Sequence, residues 1–371
     1  MQLAAHRRSI AQYLLPIASL GIAIAIELSG ISAAHLPLPA AIPVSALLAG
    51  LTFSTVFVAL HHAEAVARRI GEPYGTLLLT LAVTAIEASV IVTMMLHGKN
   101  NPTLARESVF STVMIVTTGV VGICLTLGGL RHRTQDIRRQ GTSALLAVLM
   151  ALSVLTLILP NYTLTTPPGT FSTLQLGFIT TLSVLLYGGF LFAQTVRHQE
   201  HFLDDIEPGS NGAHRAPAGM ETIAGVVLLV VGLIGIVLLT EQLASGIEEG
   251  LTALQVAQSD AIIGAFIATL VVMPEAVSAI RAALKNELQR SLNVALGSAC
   301  ATIGLTIPAV AAASLATGRA LTLGLNSGDM VLLILALSVS IVSFGTGRTT
   351  ILTGLVHLVV FVAYLLLIVV P

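Results

Sequence analysis

The stretch Gly71-Glu-Pro-Tyr-Gly-Thr-Leu-Leu-Leu-Thr80-Leu-Ala-Val-Thr84-Ala-Ile-Glu87-Ala-Ser-Val-Ile91 sets one carboxylate, Glu87, near the middle of an apolar run from Leu77 to Leu96. A helix of that length crosses the hydrocarbon core of a bilayer, about 30 Å thick. An ionised carboxylate at that depth costs on the order of a few kcal/mol, so an acidic residue kept there marks a candidate site. Thr80 and Thr84 stand seven and three positions before Glu87 and share its helical face. They either supply oxygen ligands or bond the carbonyls of their own helix.

Leu270-Val-Val-Met-Pro274-Glu275 sets a second carboxylate in an apolar segment, 188 residues after Glu87 and close to half the chain away. Pro274 has no N–H to give the carbonyl of Leu270, and a freed carbonyl beside a carboxylate makes a good cation ligand. Loosened backbone of this kind is tolerated in membranes where it lines a cavity. The following helix offers Asn293, Gly297, Ser298, Thr302 and Thr306, and its counterpart in the first half offers Ser108, Ser111, Thr112, Thr117 and Thr118. These serve equally as ligands or as small residues for close helix packing.

Of the 371 residues 55% are hydrophobic and only 9% charged, with a mean hydropathy of +0.93. Soluble domains carry roughly a quarter charged residues, so this is a polytopic membrane protein. A formal net charge of −1 argues neither for nor against a polyanionic partner, and so few charges assemble no nucleic-acid face. Cys124 and Cys300 lie in apolar runs of different halves and form neither a disulfide framework nor a metal spacing. The first apolar run, 13–31, contains Glu27 and exceeds the length of a leader's apolar region, so it reads as a first spanning helix.

Apolar runs fall at about 12–31, 40–60, 76–96, 108–130, 143–160, 171–195, 221–240, 259–280, 291–315, 329–345 and 350–370, which predicts eleven helices. With the N-terminus in the cytoplasm, fourteen of the 17 Lys and Arg residues fall on the cytoplasmic side, and only Lys99, Arg106 and Arg319 do not. The positive-inside rule therefore supports the count and sets the C-terminus outside. The Glu87 and Glu275 helices then run in opposite senses, as in the inverted repeats of secondary transporters. The expected division is a peripheral helix in 1–35, a first five-helix repeat in 36–195, a cytoplasmic linker in 196–219 and an inverted second repeat in 220–371. The linker, with His198, Glu200, His201, Asp204, Asp205, Glu207 and His214, is either a solvated connection or a cation-sensing loop.

Other polar positions have simpler readings beside a functional one. Asp260 and Asp329 begin helices, where a carboxylate stabilises the positive end of the helix dipole. His357 reads as a hydrogen-bonded packing histidine, with a proton relay as the alternative. His61, His62 and Glu64 end the second helix and form either a cytoplasmic entrance for cations or protons or an interface marker. Glu27 stands outside both repeats.

Together His62-Ala-Glu64, Ala67-Arg-Arg69, Gly71-Glu-Pro-Tyr-Gly-Thr-Leu-Leu-Leu-Thr80 and Ile86-Glu87 resemble the first repeat of the ChaA-type calcium(sodium)/proton antiporters, in the cation/calcium exchanger superfamily. Pro274-Glu275, Asn293 to Ser298 and Ser343-Phe-Gly-Thr-Gly-Arg348 extend the likeness from about residue 55 onward. The resemblance implies an all-α fold of one peripheral helix and two inverted sets of five. It implies exchange of Ca²⁺ or Na⁺ for protons, with Glu87 and Glu275 as the carriers of both. The sequence departs from the superfamily's Gly-Asn-Ala-x-Glu motif, because Ala85-Ile86 and Met273-Pro274 precede the two glutamates.

The expectation is a secondary antiporter in a bacterial-type inner membrane. It exchanges Ca²⁺, with Na⁺ and K⁺ as further candidates, for H⁺ and carries no resident cofactor. The two glutamates, one from each half, meet at a shared pocket. Thr80, Thr84, Leu270, Asn293, Ser298 and Thr302 are candidate further ligands, and His62 and Glu64 a candidate entrance. The alternatives are an intramembrane enzyme, for which His-Glu-x-x-His is missing, and a cation channel.

Overall fold

The computed structural model describes residues 2–29, 38–70, 74–97, 101–197, 219–254, 256 and 258–370; within the helices, the side chains of residues 2–11, 38–42, 68–70, 74–80, 97, 219–222 and 253 lie outside the description. Eleven helices run through the described residues: α1 Gln2–Ser29, α2 Leu38–Ile70, α3 Tyr74–His97, α4 Leu104–His132, α5 Arg139–Tyr162, α6 Thr173–Arg197, α7 Gly219–Ala253, α8 Ser259–Leu284, α9 Leu288–Thr317, α10 Ser327–Gly345 and α11 Ile351–Val369. Ten are long and apolar enough to cross a membrane, and α3 is apolar over Leu81–Leu96. Two three-residue strands, β1 Thr134–Asp136 and β2 Arg348–Thr350, complete the elements. The expected helix count and order are those observed. The expected linker lies largely outside the described residues.

The chain packs as two compact units. The first holds α1, α2, α3 and α7. Small residues let its helices approach closely: a Cβ on Gly235 of α7 would stand 2.5 Å from Ser19 Oγ and 2.9 Å from the Leu20 nitrogen of α1. Pro16, inside α1, has no N–H for the carbonyl of Gln12 one turn earlier. His62 of α2 supplies the missing donor, its Nε2 lying 3.0 Å from that carbonyl.

The second unit holds α4, α5, α6, α8, α9, α10, α11 and both strands. Its centre is α4 and α9, in each of which an 18-residue apolar stretch is 72% and 67% buried respectively, against 28–44% for the helices around them. Each central helix contains a π segment, Ile115–Val120 in α4 and Thr302–Thr306 in α9. A glycine in each segment admits an aromatic ring from an outer helix: Gly119 meets Phe361 of α11, and Gly304 meets Tyr187 of α6. A π turn leaves helix carbonyls without their usual donors. His357 of α11 approaches the Thr117 carbonyl with Nδ1 at 2.7 Å, and its Nε2 lies 3.0 Å from Ser343 Oγ. A carbonyl only accepts, so Nδ1 carries the proton and the histidine acts as a clamp.

The loops of this unit gather at two ends. At one, β1 pairs antiparallel with β2, Thr134 opposite Thr350 and Asp136 opposite Arg348. There Gln135 Nε2 donates to the Ala283 carbonyl at 3.0 Å, and His132 Nε2 lies 3.1 Å from the Leu284 carbonyl. At the other, Thr322 N–H donates to Pro102 O, Leu323 and Gly324 N–H to Gly169 O, and Leu325 N–H to Leu157 O, all at 2.9 Å. Gly169 has φ +87°, and a Cβ on Gly324 would stand 2.5 Å from the Gly169 Cα, so neither position admits a side chain. Of this unit's described Lys and Arg residues, nine lie toward the first end and two, Arg106 and Arg319, toward the second. That is the sorting the charge alternation requires.

Candidate functional site

Glu87 and Thr84 occupy the protected face of α3. Glu87 is 1% exposed, Thr84 6% and Ile91, one turn on, fully buried, whereas Leu81 is 43% exposed. The three-and-four spacing of positions 84, 87 and 91 thus turns this carboxylate inward on a helix that packs against α2 and α7. Both polar residues are engaged in interactions. The side chain of Thr80 lies outside the described residues. His62 is buried, with its ring near Tyr13 and its Nε2 on the Gln12 carbonyl, and Glu64 is half-buried. His62 is therefore an anchored side chain, explained by the proline in α1, and Glu64 is engaged in interactions.

In the second unit, α8 passes through Pro274 without interruption. Leu270 is fully buried, and its carbonyl faces a residue with no N–H to give. Glu275 is half-buried. On α9, Asn293, Gly297 and Ser298 are half-buried, with open space beside Gly297, while Thr302 and Thr306 are buried within the π segment. Glu87 belongs to the first unit and Glu275 to the second, and each is placed here within its own.

Hydroxyl bonding to the helix's own backbone is widespread. Thr117 Oγ1 donates to Val113 O at 2.7 Å, and Thr118 Oγ1 to Met114 O. Ser108 Oγ, by contrast, is buried with no hydrogen-bond partner among the described residues. Asp260 accepts from Thr103 Oγ1 at 2.8 Å, and Asp329 receives the Asn326 amide, so both take part in the starts of helices. Glu107, in the first turn of α4, is buried and paired with Arg106, which also donates to Gly324 O at 2.9 Å. Among the described residues no three His, Cys, Asp or Glu side chains gather closely enough to hold a metal ion.

Three features escaped the sequence reading: the π segments, the Arg106–Glu107 pair and a buried amide, Gln289, bonded to Asn293 at 2.9 Å. Pro308, four residues after Gly304, was a usable signal for the second π segment, because it withholds the donor for that carbonyl. The first has no proline, and only the Thr117-Thr118-Gly119 run hints at it.

Comparison with known proteins gives a consistent assignment. The profile of the family "Sodium/calcium exchanger protein" matches residues 39–196 and 224–370. The chain is 46% identical over 325 residues to the putative ionic transporter y4hA of Sinorhizobium fredii, covering 87% of this chain and 88% of that one. It is 36% identical over 338 residues to the sodium-potassium/proton antiporter ChaA of Escherichia coli, covering 90% of each. The fold resembles that of native YfkE, with a TM-score of 0.69 at 17% identity, covering 97% of this chain and all of that one. It also resembles the H⁺/Ca²⁺ exchanger CAX, with a TM-score of 0.68 at 15% identity, covering 97% and 88%. The chain belongs to the sodium/calcium exchanger family and is an integral membrane cation exchanger, not an enzyme.

Proposed function

We propose that the chain is a secondary antiporter that exchanges a cation, Ca²⁺, Na⁺ or K⁺, for protons, with Glu87 and Glu275 binding either in competition. The observation that carries this reading is the buried carboxylate of Glu87 at the centre of an apolar helix. The name of ChaA, a sodium-potassium/proton antiporter, supports exchange against protons. A repeated design is supported by the π segments of the two central helices, which begin 187 residues apart at Ile115 and Thr302, one less than the separation of the glutamates; two further π segments, Val154–Ile158 in α5 and Ala193–Arg197 in α6, stand outside this pairing. The reciprocal packing of α4 on α11 and of α9 on α6 follows the same symmetry.

The chemistry follows from charge balance. A calcium ion takes six to eight oxygens at about 2.3–2.6 Å, more than two carboxylates offer, so hydroxyls, the Leu270 carbonyl and water complete the shell. When the cation leaves, two carboxylates in a low-dielectric site cannot both remain charged, and protons replace it. A cation-filled or doubly protonated site is the form that changes access from one side to the other. The basic end of the second unit faces the cytoplasm of a bacterial inner membrane.

The test is uptake of Ca²⁺, Na⁺ and K⁺ into proteoliposomes driven by a proton gradient, with Glu87→Gln and Glu275→Gln beside the unaltered chain. Both variants are expected to fold and to lose exchange, because a neutral amide mimics the protonated acid. Cation flux without a gradient would indicate a channel. Undiminished exchange in either variant would refute the assignment of that glutamate.

A further inference from the structure

We infer that Gln289 sets which edge of the Asn293 amide faces the open side of α9, and thereby limits how tightly the chain holds its cation. Gln289 is 1% exposed. Its Oε1 accepts from the backbone N–H of Arg138 at 2.9 Å and from Thr142 Oγ1 at 3.3 Å. A backbone N–H can only donate, so the oxygen of Gln289 is held toward the turn between β1 and α5, and its NH₂ is left for Asn293. There Nε2 donates to Asn293 Oδ1 at 2.9 Å. Asn293 must accordingly turn its oxygen to Gln289, which leaves its own NH₂ as the opposite edge.

Asn293 is half-buried, and one turn further along α9 space opens beside Gly297. The amide edge left for that side is the donor edge. Cations of this class are bound through oxygen. Asn293 therefore acts there as a donor to water or carboxylate, and Gln289 is a positioning residue that withholds its oxygen. The inference rests on the proposed function, in that the open face of α9 forms part of the cation path.

Two readouts on the purified full-length chain test it: stabilisation against heat by Ca²⁺, Na⁺ or K⁺ in detergent, and proton-driven uptake in proteoliposomes. An ionised glutamate in Gln289→Glu keeps an acceptor for Arg138 and Thr142 but cannot donate. Asn293 then turns its NH₂ toward residue 289 and its oxygen outward. The half-saturating cation concentration is expected to fall about five- to tenfold, the worth of one or so hydrogen bonds, with the maximal rate little changed. Gln289→Met should shift it the same way by less, and Thr142→Val should not shift it. In an Asn293→Ala background, substitution of Gln289 should have no further effect. A shift that survives in that background, a raised or unchanged half-saturation, or loss of the folded state in both Gln289 variants would overturn the inference. The heat readout keeps the two claims apart: binding without transport by the unaltered chain would count against antiport, while the Gln289 series would still be decided by binding.

Discussion

Replacing Gly304 by alanine tests whether the π segment of α9 is held by contact with α6. The added methyl carbon would stand 2.7 Å from Tyr187 Cβ and 2.8 Å from Cγ. Neither atom lies at the end of a flexible chain. Carbon atoms rest about 3.5–4.0 Å apart, so α6 and α9 would have to part by roughly 1 Å. Overpacking of this kind costs about 1–3 kcal/mol, against a gain of about 1 kcal/mol when alanine replaces glycine in a helix. Gly189→Ala on α6 is the matched control, because nothing lies within 4 Å of its Cβ and only the helix gain applies. Cys124 and Cys300 are the chain's two cysteines, both free and buried, so a thiol-reactive dye reports unfolding directly. The net cost, up to about 2 kcal/mol, should lower the melting temperature of the Gly304 variant by up to about 4 °C. The Gly189 variant should melt at or above the unaltered chain. Equal melting of the two variants would show that α6 and α9 do not depend on this contact.

The same assay checks three further expectations. Arg106→Leu leaves the buried Glu107 without its counter-ion, at a cost of about 3–5 kcal/mol, and adding Glu107→Gln should recover most of the lost melting temperature. His357→Leu leaves the Thr117 carbonyl without a donor, at about 1–3 kcal/mol; its melting temperature should fall while the ratio of protons to cations transported stays the same. A folded His357 variant that transports cations uncoupled from protons would make the residue a relay. Arg348→Ala breaks an ion pair with Asp136 in which both side chains are 75% exposed, and should change stability by less than about 1 kcal/mol.

Hydropathy marked every helix because the bilayer selects for apolar length, and that property is written locally. Its limits show where helices outlast the apolar run. α7 continues to Ala253 through Glu241, Glu248 and Glu249, and α2 continues to Ile70 through His61, His62 and Glu64. Glutamate is a good helix former, so the hydrogen-bond ladder persists after hydrophobicity ends. Glu87 stood out because its cost in hydrocarbon is intrinsic to the residue. Gln289 did not, since an amide near a helix start is ordinary until its partners at Arg138, Thr142 and Asn293 are known. Likewise, His62 was visible as one of a polar group at a helix end and His357 as a polar residue in apolar surroundings. The carbonyls they serve, on Gln12 and Thr117, are set by a proline and a π turn far away in the chain.

The seam between α4 and α11 has a consequence for how a new copy of the chain is made. His357 reaches Thr117 across 240 residues of sequence, and Gly122 and Gly354 leave no room for a side chain on either helix. At about 5–20 residues per second, a ribosome needs on the order of 10–50 s to deliver α11 after α4 has emerged. During that interval the groove on α4 must remain clear of every other helix as it inserts. A bulky substitution at Gly122 should therefore lower the yield of correctly assembled protein before it shortens the lifetime of copies already built.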